Sequence, residues 1–131
     1  MNIQTFVALY AISVPVFFVI DMIWLGFVAS SFYRERMGDL LQINWTASII
    51  FYLIFLVGLT LFATYPNLEK GWQMVLLYGL LFGFFTYATY DLTNLATLKD
   101  WPLDLVIVDI IWGTLLGGAV AVSTYFIYGW F

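Results

Sequence analysis

Three aspartates, Asp21, Asp91 and Asp109, each interrupt a long apolar run in a chain that has no histidine and no cysteine. An ionisable side chain at the centre of a lipid-embedded helix costs at least ~2.5 to 3.5 kcal/mol, so three of them require an explanation. No lysine or arginine lies inside those runs to neutralise them. The carboxyl groups are therefore expected to be protonated, to share a proton, or to hold a cation. Without His or Cys there is no thiolate nucleophile, no iron–sulfur ligand and none of the usual ligands for zinc, copper or haem. A metal would have to be a hard cation held by oxygen atoms; no metal site is assigned and no cofactor is expected. The chemistry left is that of protons, hard cations and polar hydrogen bonds.

Side chains three or four residues away on a helix supply the first candidates for partners. Trp24 stands by Asp21, Tyr87 and Asn94 by Asp91, and Trp112 by Asp109. They offer indole, phenol and amide donors to a carboxylate. The candidate site is thus Asp21, Asp91, Asp109, Asn94, Trp24, Trp112 and Tyr87, with catalytic roles left unassigned.

The elements that must position these groups follow from composition. The 131 residues are 64% hydrophobic and 9% charged, with a mean hydropathy of +0.99. A soluble domain is nearer 45 to 50% apolar and about 25% charged. An integral membrane protein is expected, as one domain over residues 1–131. Four apolar runs, about 3–30, 45–65, 72–98 and 102–128, each have the length to cross a hydrocarbon core of about 30 Å as a helix. No ten-residue alternating segments speak for a barrel. The expected fold is an all-α bundle of four transmembrane helices. The N-terminus lacks the positive stretch of a secretory signal, so the first run is read as a retained helix.

Nearly all charge falls between the runs, in Arg34–Asp39, Glu69–Lys70 and Lys99–Asp104. Pro66 and Pro102 suit a helix end and a helix start, while Pro15 inside the first run should kink it. Loops 1 and 3 share one side and carry Arg34, Arg36 and Lys99, against Lys70 on the other. The positive-inside rule then puts loops 1 and 3 in the cytoplasm and both termini outside. Trp45, Trp72, Trp101, Tyr33, Tyr65, Tyr128 and Trp130 cluster at the run ends, where amphipathic rings anchor at the headgroup layer. The net charge of −4 and the lack of a basic stretch exclude a nucleic-acid partner. Membrane lipids are the expected surroundings, with a homo-oligomer or a larger membrane complex as the protein partners open to it.

Counting from the shared side at 1.5 Å per residue puts all three aspartates roughly 10 to 13 Å deep, in one layer. The four-residue repeats Gly79, Gly83, Tyr87, Asp91 and Asp109, Gly113, Gly117, Ala121 put small residues on the same face as each aspartate. Small faces let helices approach closely, so the aspartates should point inward. Ser48, Tyr52, Leu56, Thr60 and Thr64 form a stripe on the second run that reads as packing, with Tyr52 a candidate only for the rim of the site. The Asp21-Met22-Ile23-Trp24 and Asp109-Ile110-Ile111-Trp112 strings echo each other but lie on helices of opposite direction, which rules out a simple duplication.

The stretch Asp91-Leu92-Thr93-Asn94-Leu95-Ala96-Thr97-Leu98-Lys99-Asp100-Trp101-Pro102, with Val108-Asp109-Ile110-Ile111-Trp112-Gly113, Ile20-Asp21-Met22-Ile23-Trp24-Leu25-Gly26 and Phe32-Tyr33-Arg34, resembles DUF2177, a bacterial family of small membrane proteins. The resemblance implies a four-helix protein of the bacterial inner membrane, with Asp21, Asp91, Asn94, Asp109 and Trp112 at motif positions. It implies no activity. Three classes of function stay open: binding or transport of protons, a cation or a small polar solute; a cofactor-free enzyme acting on a lipid or isoprenoid-like substrate; and an accessory subunit whose polar layer is architectural.

Overall fold

The computed structural model describes residues 1–131, apart from the side chains of residues 28 and 29. Helix α1 spans Ile3–Ile23 and widens into a π-helical segment, Trp24–Ala29, before continuing as α2, Ser30–Met37. Helix α3 spans Trp45–Leu59 and ends through a π-helical segment, Thr60–Thr64, and a 3-10 turn, Tyr65–Asn67. Helices α4, Trp72–Thr97, and α5, Leu103–Tyr128, complete the chain, and no strand occurs among the described residues. Four of these helical paths are long and apolar enough to cross a membrane: Ile3–Phe27, Trp45–Asn67, Trp72–Thr97 and Leu103–Tyr128.

Local chemistry explains where the helices begin and stop. The Asn2 side-chain oxygen accepts from the backbone N–H of Gln4 and Thr5 at 3.0 and 3.2 Å, and Asn44 accepts from Ala47 at 3.1 Å. Each satisfies donors that a first helical turn leaves free. Pro102 precedes the first turn of α5 with extended backbone, the conformation expected ahead of a helix start. Pro15 lies within α1, which runs on through it. The first helical path continues past the apolar run that ends near Ser30, because nothing in Ser30–Met37 breaks a helix. Gly38, at φ +55°, reverses the backbone there.

Helices α4 and α5 pack against each other along their glycine faces. A Cβ added at Gly79 would stand 2.7 Å from the Gly117 carbonyl oxygen, and one at Gly83 would overlap the Gly113 carbonyl. Backbone thus rides on backbone along this seam. α5 is the most enclosed of the four spans. The core joins Phe17 of α1, Phe55, Leu56 and Leu59 of α3, Val75 of α4 and Leu116 and Val120 of α5. A second apolar cluster lies at the loop end. There Trp101, Leu105 and Val106 are buried against Phe32, Tyr33 and Met37 of α2.

That second cluster corrects two expectations. Trp101 is buried and Tyr33 half-buried, not free on the surface as anchors would be, because α2 folds over the start of α5 and turns the Tyr33 hydroxyl to Asp109. Trp45, Trp72 and Trp130 are exposed.

Candidate functional site

The antiparallel register between the α1–α2 path and α5 builds the site. Arg36 donates through Nε to Asp104 Oδ2 at 2.9 Å, next to its contact with Glu35. Further down, the Tyr33 hydroxyl donates to Asp109 Oδ1 at 2.8 Å. Further still, the Trp24 and Trp112 rings stack at 4.3 Å with planes 5° apart. Asp21 lies beside the Trp112 indole and the Tyr52 phenol. Asp91, on α4, stands next to Asp109 across the α4–α5 seam. The three carboxyl groups therefore form a stepped line with Asp109 in the middle. Asp109 and Asp91 meet, and Asp21 stands level with Trp112, about one helical turn deeper than Asp109. Among the described residues no three acidic side chains converge as they would around one metal ion.

Burial is severe at both ends of this line. Asp21 is 4% exposed and Asp91 1%, and Oδ2 of each is buried with no hydrogen-bond partner. Trp24 Nε1 is likewise buried and unpartnered. Buried polar atoms left this way are uncommon in folded proteins, and each calls for a partner.

Asp21 and Asp109 border a cavity of about 480 Å³ between α1, α3, α4 and α5. Its walls are Trp24, Leu25, Tyr33 and Trp112, with Ala47, Ser48, Phe51 and Tyr52 from α3, and Thr86, Tyr87 and Tyr90 from α4. Apart from the two carboxylates and the tyrosine phenols, nothing in the wall is ionisable among the described residues. The space exists because α3 packs tightly only in its second half. Phe55, Leu56 and Leu59 are buried, whereas no residue from Trp45 to Ile54 is.

The candidate residues divide. Asp21, Trp24, Tyr87, Asp109 and Trp112 line the cavity. Asp91 stands behind Asp109, outside the lining, and Asn94 lies beside the Tyr90 side chain. The indoles serve other partners than those reached along their own helices. Trp24 and Trp112 pair with each other, and Trp112 serves Asp21 from across the bundle, because stacking two flat rings fixes where each N–H can point. The Tyr87 ring packs over Gly113, where a Cβ would collide with it.

Sequence reasoning missed Tyr33 and undervalued Tyr52. Tyr33 lies beyond the apolar run, and only the register of α2 against α5 brings it to Asp109. Tyr52 lies about two turns into α3 from the loop 1 side, the depth counted for the aspartates, so the count itself was the signal that could have found it.

A family model described as "Predicted membrane protein (DUF2177)" matches residues 6–126. No curated protein and no solved structure matches the chain.

Proposed function

The chain belongs to the DUF2177 family of predicted membrane proteins, and from its site we propose that it binds an organic cation within the membrane, with capture of the cation linked to release of a proton. The observation that carries this reading is the buried, unpartnered carboxylate oxygen of Asp21 on the wall of a cavity that contains no basic side chain. An uncompensated buried carboxylate costs several kcal/mol, and a bound cation removes that cost. The aromatic wall narrows the class. Trp24, Trp112, Tyr52, Tyr87 and Phe51 bring aromatic rings to the lining, and ring faces attract ammonium groups by up to about 2 kcal/mol when water is excluded. A volume near 480 Å³ lies within the roughly 300 to 1,000 Å³ typical of small-molecule sites.

The proton linkage rests on Asp91 and Asp109. Two carboxyl groups side by side and away from any basic group repel when both are charged, which favours one proton held between them. A cation arriving beside Asp109 supplies the positive charge that the proton had supplied. Binding alone explains these features; transport would need the site to open to a second side, for which an oligomer is one route. The charge asymmetry of the loops favours an orientation with loops 1 and 3 in the cytoplasm.

The test is a titration of the protein in phosphatidylglycerol nanodiscs with tetramethylammonium, followed by tryptophan fluorescence, with tert-butanol as the neutral compound of the same tetrahedral size. Saturable binding of the cation, weakened at least roughly tenfold in Asp21→Asn and Asp109→Asn variants that keep their helical circular dichroism, is expected. Equal binding of the neutral compound, or unchanged affinity in both variants, refutes the reading. A second reading, a cofactor-free enzyme acting on a lipid, is favoured by the Asp91–Asp109 pair with Tyr33 donating to Asp109, an acid–base set at the cavity edge. A precursor lipid accumulating in a deletion strain would identify it.

A further inference from the structure

From the way α3 diverges from α4, we infer that the ligand is a membrane-dissolved amphiphile whose ammonium head enters the cavity sideways while its chain stays in the lipid. This inference rests on the cation reading above and names the class of cation. The two helical paths touch where Phe82 of α4 packs against Phe55 of α3 at 5.4 Å and against Phe62 of the π-helical segment after α3 at 6.3 Å. Their last ring contact toward the loop end is Phe55 with Tyr87, at 6.1 Å. Beyond it the helices part, and the cavity fills the opening.

The rim of that opening is uncharged. Ala47 and Phe51 border it from α3, and Thr86 and Tyr90 from α4. Phe51 is 47% exposed and Tyr90 55%, each roughly 9 to 11 Å inside the loop-side end of its helix at 1.5 Å per residue. From Trp45 to Leu59, α3 carries no charged residue at all. An entrance for a water-borne ion would be expected to offer polar or charged groups to replace its hydration; this one suits hydrocarbon. The loop end of the α5 side, by contrast, is roofed. Phe32, Tyr33 and Met37 pack on Trp101, Leu105 and Val106, and Arg36 holds Asp104 above them.

Depth agrees with this arrangement. Asp109 lies six residues inside α5, roughly 9 Å below its start at 1.5 Å per residue. A head drawn in to Asp109 and Asp21 therefore leaves its chain at the level of the acyl layer, where the rim opens. The chain needs no groove of its own, because the surrounding lipid solvates it.

A series of alkyltrimethylammonium ions in phosphatidylglycerol nanodiscs tests the inference, with tetramethylammonium, hexyltrimethylammonium and dodecyltrimethylammonium as probes below their micellar concentrations. Affinity referred to aqueous concentration should rise with chain length in step with partitioning into protein-free discs, roughly fourfold per methylene where the chain is fully in lipid. Binding of all three should be lost together in Asp21→Asn. If tetramethylammonium binds in an Asp21-dependent way and dodecyltrimethylammonium binds no tighter or not at all, the amphiphile inference falls and the cation site stands. If none of the three shows Asp21-dependent binding, both fall.

Discussion

Replacing Gly83 by alanine adds a single methyl group to the α4–α5 seam, and the structure gives the size of the effect. The new Cβ would overlap the Gly113 carbonyl oxygen and stand 3.0 Å from its carbon and 3.2 Å from Thr114 Cα. Ordinary carbon contacts are about 3.5 to 4.0 Å, so the two backbones must separate by on the order of 1 Å. These are backbone atoms of a helix and cannot swing aside as a side chain would. Overpacking of this kind costs typically about 1 to 3 kcal/mol. Alanine's better helix propensity returns at most about 1 kcal/mol. The steric term wins, and Gly83→Ala should destabilise the protein by roughly 1 to 2 kcal/mol. Because the same seam holds Asp91 against Asp109, cation affinity should fall as well. Gly26→Ala is the control. Beyond its own helix backbone, no described atom lies within 4 Å of its added Cβ, so it should be neutral or stabilising by up to about 1 kcal/mol. Equilibrium unfolding in mixed lipid–dodecyl sulfate micelles measures both. A Gly83→Ala protein as stable as the parent, or equal losses in the two variants, would refute close backbone packing as the device that assembles the site.

Tyr33→Phe should lower stability in the same assay by about 1 to 3 kcal/mol, since it leaves the half-buried Asp109 without its phenol donor; no loss would mean that water replaces the phenol freely. Trp24→Phe and Trp112→Phe should each abolish one shared near-ultraviolet circular dichroism feature, because two indoles stacked at 4.3 Å couple as a pair. Spectra that change independently in the two variants would speak against the stack. Tetramethylammonium affinity should fall as pH falls, with protons taken up on ligand release. The sign follows from charge: protonating Asp21 or Asp109 removes the negative group that holds the cation. An affinity that rises toward acid pH would reverse the linkage.

Much of the fold was legible because its physics is local. Four runs long enough to cross a bilayer, with charge confined between them, dictate helices and their approximate ends. Glycine at four-residue spacing in Gly79–Gly83 and Gly113–Gly117 marks the closest seam, since only small residues permit it. The aspartates announced a polar locus by their cost in lipid. Partners were harder to read. Spacing along one helix assigned Trp24 to Asp21 and Trp112 to Asp109, whereas side chains meet across the bundle.

Sequence alone therefore determined the class of protein, the number of spans and the limits of its chemistry, because hydrophobic run length, charge placement and the absence of His and Cys act residue by residue. Tertiary structure decided the rest. The antiparallel register of α2 on α5 brings Tyr33 to Asp109, and the backbone seam brings Asp91 behind it. The parting of α3 from α4 turns a line of carboxylates into a cavity. These depend on angles and offsets between helices, which arise from many weak packing contacts summed across the bundle, and no single stretch of sequence encodes them.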